Sequence, residues 1–175
     1  MKARRVALCA VFVALLIALQ YTFSFVPGVE LVTVFLLCFC YAFGIIPGMI
    51  TATCFSLLRC LLFGFYPNVI VLYLVYYNMF ALLFGFLGKN SRPMTKKSAR
   101  AAQLVQVTAL AAVCTVFFTL LDDLISPLFF GYSAEAAYGY FLASLYVMIP
   151  QLICATMSVA LLFVPLSRVF GAAAV

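Results

Sequence analysis

The chain reads as long apolar runs separated by short polar or Pro/Gly breaks. Runs such as 6–19 and 69–87 show no alternation of polar and apolar positions. A half-buried strand or a membrane barrel needs that alternation, so the pattern predicts helices. Six apolar segments are predicted, at about 5–25, 31–46, 49–63, 69–87, 104–125 and 141–166. The breaks have recognisable chemistry. Pro27-Gly28 and Pro47-Gly48 interrupt the first half, and 64–68 (Gly-Phe-Tyr-Pro-Asn) is a turn by composition. The stretch 88–100 is strongly polar, and 126–140 is a loop of mixed character. Pro150 is expected to kink the last helix. The second and third segments are short, which suggests that one is tilted or partly re-entrant.

Composition names the solvent. Hydrophobic residues make up 69% of the chain and charged residues only 8%. A soluble domain carries roughly a quarter charged residues. A chain of 175 residues accommodates six spans, since each needs about 20 residues. The expectation is therefore an all-α membrane protein, with 1–175 as one six-helix transmembrane domain. The first run is longer than the apolar core of a usual signal peptide, and no clear small-x-small site precedes Pro27. It is read as a retained span.

The net charge of +6 does not point to nucleic acid, because the basic residues flank apolar runs. Lys2, Arg4 and Arg5 precede the first run. Lys89, Arg92, Lys96, Lys97 and Arg100 lie between the fourth and fifth, and Arg168 follows the sixth. Six crossings put these clusters on one side, which the positive-inside rule makes cytoplasmic. Both termini and a basic loop at about 88–103 then lie inside. Glu30, Asp122, Asp123 and Glu135 fall at the outer side, and Arg59 is the basic exception there.

Several chemistries are absent. There is no histidine, so Ser-His and Cys-His pairs and HExxH are excluded. The seven cysteines lie in apolar runs without a CxxC pair and read as apolar filler. The stretch 85–90 lacks the spacing and hydroxyl of a phosphate-binding loop, so no ATP hydrolysis is expected. Neither a metal nor a cofactor is expected in this chain.

Ala10, Ala14 and Ala18 recur every fourth residue, with Ala3 and Ala7 nearer the N-terminus. This smooth stripe lets helices approach closely in lipid. It serves either packing within the chain or docking of another membrane protein. With the short basic N-terminus, the six runs and Pro47-Gly48, it resembles the substrate-binding S component of energy-coupling factor (ECF) transporters. The resemblance covers the layout of the whole chain, and its local motif is the alanine stripe. It implies a multi-pass protein of the bacterial cell membrane that captures a vitamin or vitamin precursor from outside. It also implies partners: a transmembrane coupling subunit, which the stripe faces, and two cytoplasmic ATPases that use ATP.

Candidate substrate-binding residues follow from the outer half. A charge at membrane depth usually faces a cavity or a partner. Arg59 lies ~7 Å below the outer end of its run, by helical rise. Asp122 and Asp123 sit at a comparable depth, so an Arg59–Asp pair and a ligand contact are both open. Tyr73 and Tyr77 share a helix face at i, i+4, with Asn78 beside them and Asn68 at the outer mouth. Tyr146 and Gln151 flank Pro150 and are candidates for the same cavity. The loops carrying Glu30, Tyr66 and Tyr132 are candidate lids. Two alternatives remain: a six-span scaffold of the rod-shape-determining type without transport, and a metal-assisted membrane enzyme built on Asp122 and Asp123.

Overall fold

A computed structural model describes residues 3–26, 29–90 and 97–174, with side chains for 3–26, 29–90 and 101–171. The break at Pro27-Gly28 lies outside the described residues, as do Lys2, Arg92, Lys96 and the side chains of Lys97 and Arg100. Six helices follow in order: α1 (Ala3–Phe23), α2 (Val32–Phe43), α3 (Ile45–Phe63), α4 (Pro67–Asn90), α5 (Lys97–Phe130) and α6 (Ala134–Ala174). There is no strand among the described residues. Five of the helices are long and apolar enough to cross a membrane, and the chain has the character of a multi-pass membrane protein.

The exception is α2. Its 12 residues cover about 18 Å, short of a hydrocarbon core of about 30 Å. It is instead the core of the bundle. Val34, Leu36, Leu37, Cys38, Phe39 and Cys40 are fully buried, and α1, α3, α4 and α6 pack around it. The surrounding helices turn large apolar side chains outward, among them Val11, Leu61, Leu128 and Leu161. An apolar perimeter around an apolar core is what lipid as solvent permits.

Local chemistry sets the helix ends. The α2–α3 break falls at Gly44, three residues before the expected Pro47-Gly48. Gly44 adopts φ +86°, which glycine reaches without a Cβ penalty. Its N–H closes α2 on the Cys40 carbonyl at 2.9 Å. Pro47 falls in the first turn of α3, where its missing N–H costs nothing, so the helix runs through it. Pro67 opens α4 in the same way. The expected loop at 126–140 shrinks to three residues. Here α5 continues through Pro127 to Phe130, the chain turns at Gly131 (φ +63°), and α6 begins at Ala134. The Ser133 hydroxyl accepts the Ala136 N–H at 3.3 Å as an N-cap. Helix α6 passes through both Pro150 and Pro165 without ending.

The helices alternate in direction, which gives the bundle two distinct ends. At one end the start of α1 meets the α2–α3 corner through the Cys9 thiol and the Pro47 carbonyl. Phe12 and Phe43 pack on Phe170 of α6, and Gln103 of α5 donates to the Tyr41 hydroxyl of α2. The end of α4 lies on the same corner, where Gly88 abuts the Tyr41 backbone. The basic residues Arg4, Arg5, Lys89 and Arg168 belong to helix segments at this end. Glu30, Asp122, Asp123, Glu135 and Arg59 lie toward the other, here called the acidic end.

Candidate functional site

At the acidic end the polar side chains converge on one cleft. Its deepest charge is Glu30. After α1 the chain folds back through tight turns, Ser24 N–H to Tyr21 carbonyl and Val26 N–H to Phe23 carbonyl. This return carries Glu30 down into the bundle before α2 begins. One carboxylate oxygen accepts the Tyr77 hydroxyl at 3.2 Å, and the other accepts the Gln151 amide at 2.7 Å. Tyr77 is ten residues into α4, about 15 Å along the helix. Glu30 is also held through its backbone. Its N–H donates to the Cys154 sulfur at 3.4 Å, and the Cys154 thiol donates to its carbonyl at 3.7 Å. The expected lid residue is thus a wall residue at depth. The short second helix is the consequence, because part of the descent is made by irregular chain. Such backbone is tolerated at membrane depth where protein surrounds it or it lines a cavity.

The cleft has two lobes. One, of about 220 Å³, lies against Gln20, Ser24, Glu30, Tyr73, Phe118 and Gln151. The other, of about 310 Å³, lies against Thr119, Asp122, Tyr140, Ser144 and Met148. Phe118, Val147 and Gln151 belong to both, so the lobes are neighbours. An aromatic layer closes the cleft from below. Tyr73 and Tyr77 lie 5.1 Å apart between ring centres, and Phe118 meets Tyr76 at 4.8 Å and Tyr73 at 5.8 Å.

A polar network borders the second lobe. Asp122 accepts the Ser126 hydroxyl at 2.7 Å and the Tyr140 hydroxyl at 2.8 Å. Asn68 of α4 donates to Ser126 at 3.0 Å, so α4, α5 and α6 are joined here. Asp123 accepts the Ser144 hydroxyl at 2.8 Å, and its other oxygen is buried without a partner. Asp122→Ala strands two hydroxyls, and a net loss of about 1–3 kcal/mol is expected. Asp122→Asn keeps an acceptor and is expected to lose less than half of that. Thermal unfolding in mild detergent distinguishes the two.

The candidate residues therefore separate. Tyr73, Asp122 and Gln151 line the cleft, and Tyr77 reaches it through Glu30. Asn68 and Asp123 stand behind it in the network. Asn78 turns to α3, accepting the Thr53 hydroxyl at 3.0 Å and donating to the Leu74 carbonyl at 2.9 Å. Tyr146 is 84% exposed on the outside of α6, away from the cleft. Tyr66 and Tyr132 are also exposed.

Arg59 makes no ion pair with Asp122, Asp123 or any other acid among the described residues. Its guanidinium instead sits 4.3 Å from the Tyr73 ring centre and 5.5 Å from that of Phe63. The faces of these rings attract a desolvated cation. The Arg59–Asp pair, one of the two readings left open for Arg59, does not form: Arg59 is occupied on α3 and α4, whereas the aspartates face α6.

Gln20, Phe118, Ser144 and Val147 were not singled out by sequence. Each is an ordinary residue of an apolar helix, and only the packing brings them together. Glu30 did leave a signal: a carboxylate immediately before an apolar run too short to span.

The stripe on α1 has a clear placement. Ala10, Ala14 and Ala18 are exposed, as are Ala3 and Ala7, while Cys9, Phe12, Val13 and Leu16 on the opposite face are buried. The alanines do not pack within the chain. The chain matches no known family model, no curated protein and no solved structure.

Proposed function

We propose that the chain is the substrate-binding membrane subunit of an ECF-type importer. In this reading it crosses the membrane six times, the return segment and α2 together making the second crossing. The basic end faces the cytoplasm of a bacterial cell, as the positive-inside rule requires. The acidic end opens outward and takes a small micronutrient, a vitamin or vitamin precursor. A transmembrane coupling subunit and two ATPases supply the energy, and this chain carries out no chemistry itself.

The observation that carries the reading is the cleft. Polar and charged groups at membrane depth are costly and are kept where they serve a pathway or a ligand. Glu30, Gln20, Gln151 and Asp122 border space of small-molecule size beside an aromatic floor. The outward alanine face of α1 supports a docking partner, since a smooth face in lipid admits close helix approach.

The test is coexpression with an ECF coupling module, followed by purification and native mass spectrometry. A stable complex and a retained small molecule are expected. Ala14→Phe puts a bulky ring on the stripe without touching the buried face, so it is expected to abolish copurification while leaving the chain's melting temperature unchanged. Absence of a complex with the wild-type chain refutes the importer reading.

A further inference from the structure

We infer that the cleft selects an organic cation, a small ring compound bearing a protonated amine or amidinium group, with Glu30 as its counter-ion. This rests on the binding-subunit reading and narrows its substrate class.

The argument begins with the charges that touch the space. Glu30 borders one lobe and Asp122 the other. Among the described residues, neither lobe is lined by a lysine or arginine. Arg59, the cation of this region among the described residues, is seated over the Tyr73 ring and does not line the cleft. An anionic ligand would have to approach Glu30 and Asp122 with Arg59 held off by a ring. Coulomb energy falls with distance, so the carboxylate in contact outweighs the guanidinium beyond the aromatic layer.

The hydrogen-bonding inventory points the same way. The Gln20 side-chain oxygen, which belongs to a residue of the first lobe, is buried without a partner. An acceptor at this place suits a ligand that brings a donor. The Glu30 carboxylate holds two hydrogen bonds, from Tyr77 and Gln151, and a carboxylate offers roughly four lone-pair sites. Those two bonds fix its orientation and leave capacity for a ligand N–H. Gln151 is engaged by Glu30, so its amide protons are not all free for an anion. The aromatic ring of Phe118, shared by both lobes, provides a face for the ligand's ring.

An isosteric series tests this: benzamidine (cation), benzamide (neutral) and benzoate (anion), titrated against the purified full chain in lipid nanodiscs with tyrosine fluorescence as readout. Benzamidine is expected to bind at least about tenfold more tightly than benzamide, with benzoate weakest. In Glu30→Gln the benzamidine advantage over benzamide is expected to disappear. The substituted amide still accepts from Gln151, and the Tyr77 hydroxyl can turn to accept from it, so the fold is expected to persist. Equal or tighter binding of benzamide or benzoate by the wild-type chain overturns the inference. So does an unchanged benzamidine preference in the variant, or no benzamidine binding at all. Should the variant fail to fold, the wild-type order alone decides. The importer reading fails on a different result, the missing complex with the coupling module.

Discussion

Replacing Gly88 with alanine is expected to destabilise the bundle more than its size suggests. A Cβ at this position would stand 2.1 Å from the Tyr41 carbonyl oxygen, and 2.8 and 2.9 Å from that residue's carbonyl carbon and Cα. All three are backbone atoms, so no rotamer change relieves the clash. The end of α4 and the α2–α3 corner must move apart. Gly85, three residues earlier on the same face, is equally close to Ile45, at 2.8 Å from its N and Cα. Opening the seam at Gly88 therefore strains the next contact too. Overpacking of this kind costs about 1–3 kcal/mol. Helix propensity works in the other direction, since alanine gains up to about 1 kcal/mol over glycine in a helix. The clash wins at Gly88. At Gly139 nothing lies within 4 Å of the added Cβ, so Gly139→Ala is expected to raise stability slightly. Opposite shifts in melting temperature, measured in mild detergent, confirm the seam. Two shifts of the same sign contradict it.

Truncating Leu37 to alanine is expected to be the most damaging apolar change, at about 2–5 kcal/mol. Leu37 is fully buried in the middle of α2, which four other helices enclose. Those helices cannot all collapse into the space, so a cavity remains. The same truncation at Leu61, 67% exposed on α3, removes a mostly outward-facing side chain and is expected to cost well under 1 kcal/mol. In lipid the apolar transfer term between helices is small, and what is lost at Leu37 is packing. Thermal inactivation followed by size-exclusion chromatography provides the measure. Similar losses at the two leucines would mean that α2 is not the packed centre.

The acidic cleft illustrates why parts of the site were readable and others were not. Asp122, Tyr73 and Gln151 stood out because polar groups are rare in such a chain, and they do border the cleft. Tyr146 stood out for the same reason, yet it faces outward. Rarity marks a residue, but helix rotation decides where it points, and rotation is set by which face finds a packing partner. Arg59 shows the same limit for charges. Its depth was legible, whereas its partner was an aromatic ring that no charge count reveals.

Helical class, apolar surroundings and the clustering of basic residues followed from composition and from the absence of alternation, because backbone hydrogen bonding in lipid leaves few options. The alanine stripe was legible too, since a four-residue repeat on a helix must share one face. Its outward direction was not. The tertiary structure also made α2 a buried core instead of a full span and drew Glu30 from a surface loop into a cleft. The break at Gly44 follows from that residue's own backbone freedom, whereas the buried α2 and the drawn-in Glu30 share a different physical reason. Local sequence specifies which conformations a segment prefers, but depth, rotation and partner choice come from packing among helices distant in the chain, and those contacts exist only once the bundle has assembled.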